Sequence, residues 1–265
     1  MTLTPIDVSF PLLLAQIAAA FAAGLVDAIG GGGGLISLPA LLAAGLPVPA
    51  AIATNKGQAI FGATSSFVAF WRRDGIDRAR APLGFACGFA GACLGALALM
   101  AMRPEPLRPV VIALLLVSAV VVLFARARLS AARPAGWLAD ARGTRGALAL
   151  AAIALGLGAY DGFFGPGTGS LLIIAFALCF GDSLTRASGN AKVVNLASNL
   201  AAFTLFAARG AIVWRIALPM AAANVVGAAL GARVALARGD RLVRVVVLVV
   251  VTAVAIKLSL DMASR

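Results

Sequence analysis

Histidine is absent from this chain of 265 residues, and charged residues make up only 12% of it. Without an imidazole, the chain cannot build a histidine-ligated metal site or a Ser-His or Cys-His nucleophile. Cysteine is also scarce, since Cys87, Cys93 and Cys179 are the only three and all lie in apolar runs. An odd number of cysteines in such runs favours packing residues over a disulfide framework. We therefore expect no metal, no cofactor and no enzymatic activity.

Long apolar runs take the place of polar sequence. Hydrophobic residues make up 62% of the chain, and the 22 residues from Ala81 to Met102 contain no charge. Such a run can cross a hydrocarbon core of about 30 Å as a helix. Ten apolar segments can be counted, five in each half of the chain: 10–29, 33–46, 50–71, 81–102, 107–125, 146–163, 168–180, 185–208, 211–235 and 242–262. The pattern predicts an all-α, polytopic integral membrane protein.

The formal net charge is +12, and the arginines that produce it cluster between apolar segments. Positive loops beside membrane spans are typically cytoplasmic, so this charge indicates a lipid bilayer and not a nucleic-acid partner. Successive clusters, at 72–80, 126–145 and 238–244, are separated by an even number of segments. All three can therefore face the cytoplasm, and both chain termini are then expected to face outward.

The two halves of the chain resemble each other. The first contains "GLVDAIGGGGGLISLPALLAAG" and the second contains "LGAYDGFFGPGTGSLLIIAFALCFG". Lys56 follows Asp27 by 29 residues, and Lys192 follows Asp161 by 31. The predicted organisation is a first repeat at 1–130, a cytoplasmic linker at 131–145 and a second repeat at 146–265. Because each repeat has an odd number of segments, we expect the second to cross the membrane in the opposite sense.

Each half has a glycine-rich tract ahead of a short apolar segment. The tracts lie at 30–34 and 165–169, and the segments 33–46 and 168–180 are too short for an ordinary span. Inverted repeats with such interruptions at matching positions indicate the binding site of a secondary transporter. A helix that resumes after a break presents free N–H groups and a partial positive charge. Backbone donors to an anion are therefore expected at five glycines: Gly31, Gly32, Gly33, Gly167 and Gly169.

Two of the three lysines, Lys56 and Lys192, lie inside apolar segments at equivalent positions of the repeat. We predict that both supply positive charge to an anion site; the alternatives are an ion pair with an aspartate and snorkelling to the membrane interface. Asp27 and Asp161 also recur, and can cap the glycine turns, pair with lysine or couple transport to protons. Neighbouring polar side chains are expected to supply hydrogen bonds to the substrate: Thr54, Asn55, Gln58, Asn190 and Asn195.

At these residues the sequence resembles the sulfite exporter TauE/SafE family, also named the toluene sulfonate uptake permease family. The resemblance is carried by "GLVDAIGGGGGLISLPALLAAGLP", "ATNKGQAIFGATSSFVAF" and "AKVVNLASNLAAFTLF", and it covers about residues 10–260. It implies a permease of the bacterial inner membrane for sulfur-containing oxyanions or organic anions. Several members are associated with export of sulfite, sulfoacetate or related compounds. The second half departs from the first, because Gly-Asn-Ala-Lys replaces Thr-Asn-Lys.

The sequence therefore predicts a secondary transporter that moves a small sulfur-containing or organic anion by alternating access, with the anion bound where the two repeats meet. No nucleotide-binding motif is present, so ATP is not the expected energy source. A cytoplasm-negative potential favours export of an anion by about 2.3 kcal/mol per charge per 100 mV, which makes export the expected direction. An anion channel and a proton-coupled uptake permease stay open as alternatives. A homodimer is compatible with the sequence, as is a monomer.

Overall fold

The computed structural model describes residues 9–102 and 143–239, together with five isolated residues: Leu107, Val110, Ala113, Leu114 and Val245. Regular structure in these residues is entirely helical. The helices are α1 Phe10–Gly30, α2 Gly34–Ala43, α3 Val48–Arg72, α4 Ala81–Ala101, α5 Thr144–Phe163, α6 Thr168–Phe180, α7 Leu184–Ala208 and α8 Trp214–Arg238. The predicted segments 107–125 and 242–262, and the predicted linker 131–145, lie almost wholly outside the described residues.

Two helices, α2 and α6, are shorter than the other six helices of the described residues. Five helices, α1, α4, α5, α7 and α8, are long and apolar enough to cross a membrane. In contrast, α2 has 10 residues and α6 has 13. A helix of that length covers about 15–20 Å, which is less than a hydrocarbon core. The prediction that the second segment of each half is too short for a full span is therefore confirmed.

Glycine backbone conformations end α1 and α5. Gly31 and Gly32 have φ values of 71° and 95°, and Gly165 and Gly167 have values of 98° and 88°. These values lie in the left-handed region, which a right-handed helix cannot pass through and which residues with a Cβ disfavour. Both helices therefore stop at the glycine tracts, and the short helices α2 and α6 start only after these left-handed glycines.

The first break reverses the direction of the chain. Gln16 Nε2 in α1 donates to the carbonyl oxygen of Ala40 in α2 at 3.0 Å. At the other end of α2, a Cβ on Gly33 would lie 2.5 Å from the carbonyl oxygen of Ala23. Moving seven residues back along α1 therefore corresponds to moving seven residues forward along α2. The two helices form an antiparallel hairpin whose turn is the glycine tract.

Helices of one half pack on helices of the other half in equivalent pairs. Helix α1 packs on α8, and its counterpart α5 packs on α4, the counterpart of α8. Helix α3 packs on its own counterpart, α7. The last pair is antiparallel, because Phe70 at the end of α3 lies beside Gly189 near the start of α7. Phe61 and Phe203, farther from those ends, have ring centroids 6.4 Å apart. The predicted inversion requires such an antiparallel pair, while opposite insertion across a bilayer stays a prediction.

Close approach of α4 and α5 orients Asp161. A Cβ on Gly158 would lie 2.5 Å from the carbonyl oxygen of Gly88, and one on Gly162 would lie 2.1 Å from that of Ala92. Small residues allow backbones to approach in this way in membrane helices. The glycine face of α5 is thereby fixed against α4, and Asp161 is directed towards α3 and α7.

Candidate functional site

Two lysine–aspartate ion pairs connect the two halves of the chain. Lys56 Nζ lies 2.9 Å from Asp161 Oδ2, and Lys192 Nζ lies 3.1 Å from Asp27 Oδ2. The side chains of the first pair are 2% and 3% exposed, and those of the second pair are 0% and 25% exposed. Each lysine thus pairs with the aspartate of the opposite half. A buried charge requires a partner, which explains why the two residue types recur together in the sequence.

Asp161 gathers its hydrogen bonds on one oxygen. Oδ2 forms the ion pair with Lys56 and accepts hydrogen bonds from the Ser198 hydroxyl and, at 3.4 Å, from Asn199 Nδ2. No described residue donates a hydrogen bond to Oδ1, and a Cβ on the neighbouring Gly165 would lie 3.2 Å from this oxygen. The carboxylate therefore has one fully engaged oxygen and one that keeps its accepting capacity.

Asp27 holds the first glycine turn. Its Oδ1 accepts from Gly33 N at 3.3 Å, and its Oδ2 accepts from Asn195 Nδ2 at 3.2 Å. Lys192 Nζ donates to the same carboxylate and also to the main-chain carbonyl of Asp27. That carbonyl belongs to the last turn of α1, where a positive charge interacts favourably with the helix dipole. Lys192 and Asp27 together fix the end of α1 and the break that follows.

A chain of uncharged polar groups runs from α2 to α8. Ser37 Oγ and Gln58 Nε2 donate to Asn55 Oδ1 at 2.6 and 2.9 Å. Asn224 Nδ2 then donates to Gln58 Oε1 at 2.6 Å. An amide can accept and donate more hydrogen bonds than these contacts use. The hydrogen-bonded side chains are therefore held in place but can still bind a solute.

These groups surround a central cavity of about 40 Å³, room for a few water-sized groups. Helices of both halves and both glycine tracts form its wall. The polar side chains of the wall are Asp27, Ser37, Asn55, Lys56, Gln58, Asp161, Asn195, Asn199 and Asn224. The glycines of the wall are Gly24, Gly32, Gly33, Gly34, Gly62, Gly165, Gly167 and Gly169. The structure thus brings lysine, carboxylates, amides and glycine backbone together around one cavity.

Most residues predicted for the site lie in this wall. They are Asn55, Lys56, Gln58, Asn195, Gly32, Gly33, Gly167 and Gly169, with the coupling candidates Asp27 and Asp161. Four do not: Gly31, Thr54, Asn190 and Lys192. Gly31 instead lies where the tracts touch, since a Cβ there would be 2.2 Å from Ser170 N. Lys192 is fully buried behind Asp27.

Thr54 and Asn190, each two residues before its lysine, bind loops and not the cavity. Thr54 Oγ1 accepts from Val213 N at 3.1 Å, immediately before α8. Asn190 Oδ1 accepts from Asp77 N at 2.7 Å, in the loop before α4, and Asn190 Nδ2 donates to Asp182 at 2.8 Å. The two contacts are equivalent in the repeat. Both side chains therefore anchor the loop that enters a helix of the other half.

Four polar residues at or beside the cavity are not among the site residues predicted from the sequence: Ser37, Ser198, Asn199 and Asn224. Asn224 had a usable signal, because it lies in the middle of the apolar segment 211–235. A polar side chain at such a position marks a functional or packing site in a membrane protein. The serines carried no comparable signal, since a serine hydroxyl often bonds to its own helix.

Gly165→Ala is expected to lower the melting temperature in detergent more than Gly45→Ala does. Both glycines are left-handed, with φ values of 98° and 84°, so the backbone strain is matched. A Cβ on Gly165 would lie 2.9 Å from Lys56 Nζ, whereas a Cβ on Gly45 would have no atom of the described residues within 4 Å. Displacement of the buried ion pair is therefore the difference between the variants. Equal melting temperatures would contradict this role of Gly165.

Comparison with known proteins gives consistent matches over nearly the whole chain. A family model described as Sulfite exporter TauE/SafE matches residues 16–258. A probable membrane transporter protein, ORF9, from Sinorhizobium sp. is 34% identical over 256 residues, covering 96% of this chain and 95% of that protein. A probable membrane transporter protein from Haemophilus influenzae is 35% identical and covers 92% of each chain, and YfcA from Escherichia coli K12 is 34% identical over 95% and 91%. No solved structure matches.

Proposed function

Because the chain belongs to the sulfite exporter TauE/SafE family, we propose that it exports small sulfur-containing or organic anions, such as sulfite or sulfonates, by alternating access. The family and the names of its relatives make it a membrane transporter. It is an integral protein of the bacterial inner membrane. The proposed anion site is the central cavity, where the two halves of the chain meet.

One observation carries this proposal: Lys56, which is 2% exposed, borders a polar cavity that both glycine tracts enter. An ammonium group at this depth is costly, and in membrane proteins such groups mark ion or substrate pathways. The start of α2 and the start of α6 add backbone donors and partial positive charge. Amides on α3 and α7 supply hydrogen bonds that can orient the oxygens of the anion.

The volume of the cavity supports a small substrate. Sites for drug-sized ligands commonly measure about 300–1,000 Å³, whereas this cavity measures about 40 Å³. Sulfite or the head group of a short sulfonate suits that volume better than a bulky aromatic anion does. The oxygens of either group are acceptors for the lysine and the amides of the wall.

Export follows from the sign of the charge that moves. A cytoplasm-negative potential lowers the free energy of an outward-moving anion by about 2.3 kcal/mol per charge per 100 mV. A carrier therefore needs no other energy source for export when the anion and anything that crosses with it have a net negative charge.

The test is transport by purified protein in liposomes. Radiolabelled sulfite and a short sulfonate are loaded inside, and their efflux is measured with the potential set by potassium and valinomycin. We expect saturable efflux that unlabelled anion on the opposite side accelerates. Flux that never saturates and shows no such exchange would indicate a channel, and no flux of any of these anions would overturn the proposal.

A further inference from the structure

The charges around the cavity cancel before any substrate binds. Three charged side chains line the cavity: Lys56 of α3, Asp161 of α5 and Asp27 of α1. Lys56 is paired with Asp161, and Asp27 is paired with Lys192 of α7. Within residues 9–102 and 143–239, these are the charged groups at the cavity, and the loop before α6 adds only backbone. An anion that simply entered would therefore place an unbalanced negative charge beside two carboxylates. Buried charge without a partner is strongly unfavourable.

We propose that one proton travels with the anion, bound to Asp161, while the anion replaces Asp161 as the partner of Lys56. The inference rests on the proposed function and specifies its co-substrate. A neutral Asp161 leaves Lys56 with a free positive charge, which the anion then balances. The occupied site has the same net charge as the empty one, so both can cross between the two access states.

The hydrogen bonds around the two carboxylates favour Asp161 as the proton carrier. Asp161 Oδ2 holds Lys56, Ser198 and Asn199, and no described residue donates to Oδ1. Oδ1 can therefore take the proton without breaking a contact with its neighbours. Asp27 has no such oxygen, because Oδ1 accepts from Gly33 and Oδ2 accepts from Asn195 and Lys192.

Proton binding sets the charge moved in each transport cycle. A sulfonate with one negative charge and one proton crosses as a neutral pair, and a membrane potential alone does not drive it. A divalent anion with one proton still carries one negative charge, and a cytoplasm-negative potential drives it outward. The proton is taken from the aqueous phase on the side where the anion binds and is released with it on the other side.

The experiment measures proton and anion movement together. Liposomes containing the full chain and a trapped pH-sensitive dye receive an inward gradient of a labelled short monovalent sulfonate. We expect the interior to acidify by one proton for each sulfonate taken up, at a rate that a valinomycin-imposed potential leaves unchanged. Sulfonate uptake without acidification would overturn the coupling but not the proposed function. Absence of any anion flux with sulfite or sulfonate would overturn both.

Variants of Asp161 locate the proton. Asp161→Asn is expected to exchange labelled for unlabelled sulfonate but to move no protons, while Asp161→Glu keeps proton movement. Asp74→Asn removes a carboxylate that is 83% exposed and should behave as the wild type. Proton movement that persists in Asp161→Asn would overturn the assignment. Should this variant fail to fold, the number of protons moved per sulfonate in the wild type and in Asp161→Glu decides whether Asp161 carries the proton.

Discussion

Lys56→Met is expected to abolish anion transport and to lower the free energy of unfolding by about 3–5 kcal/mol, the usual cost of breaking a buried ion pair by removing one partner. The methionine side chain fills a similar volume but leaves Asp161, which is 3% exposed, without its cation. Ser198 and Asn199 still donate to the carboxylate, but neither carries a charge to balance it. Unfolding in mixed micelles and efflux from liposomes measure the two effects separately.

Adding Asp161→Asn to Lys56→Met removes the uncompensated charge and is expected to recover most of the lost stability. Replacing both partners of a buried pair often costs little, in contrast to replacing one. Transport should stay absent in the double variant, because the cavity has lost the cation that balances the anion. A stable double variant that still exports sulfite or a sulfonate would refute the assignment of Lys56 as the binding cation.

The breaks in the helices were predictable because a cluster of glycines is a local signal that can be read directly from the sequence. Five consecutive glycines at 30–34 and three within 165–169 disfavour a continuous helix, and each tract leads into a segment too short to span. The structure ends α1 and α5 there. The conformational preference of glycine determines where these helices end, and tertiary contacts do not change it.

The residues around each lysine were harder to assign because a helix presents several faces. Asn190 lies five residues before Asn195, which lines the cavity. Five residues correspond to about 140° around a helix, so the side chain of Asn190 points away from the cavity wall. Thr54 lies only four residues before Gln58, on the same face, but its hydroxyl accepts from Val213 N and not from the cavity wall. Helical periodicity therefore separates Asn190 from the cavity, whereas a tertiary contact decides the role of Thr54.

The pairing of charges depends on packing that the sequence does not display. Lysine and aspartate recur in both halves, and an ion pair between them was one alternative from the start. Which aspartate meets which lysine depends on how α1 and α5 lie against α3 and α7. The structure pairs Lys56 with Asp161 and Lys192 with Asp27, across the halves. The repeat therefore indicates which residues form ion pairs, and the fold determines which lysine pairs with which aspartate.

The two lysines are equivalent in sequence but should not be equivalent in function. Asp27→Asn is expected to destabilise the protein by about 3 kcal/mol, because Lys192, with a side chain that is 0% exposed, keeps its charge without an acidic partner. The introduced amide oxygen can still accept from Gly33 N, so the glycine turn keeps its cap. Denaturation in mixed micelles, compared with exposed Asp74→Asn, measures the loss.

The double variant Asp27→Asn with Lys192→Met is expected to recover stability and, unlike the double variant at Lys56 and Asp161, to retain anion transport. Lys192 does not line the cavity, and its hydrogen bonds go to the carboxylate and the carbonyl of Asp27. Its charge therefore serves the end of α1, while the charge of Lys56 faces the solute. A folded double variant without transport would show that the anion needs both cations, and the functional symmetry of the repeat would then be restored.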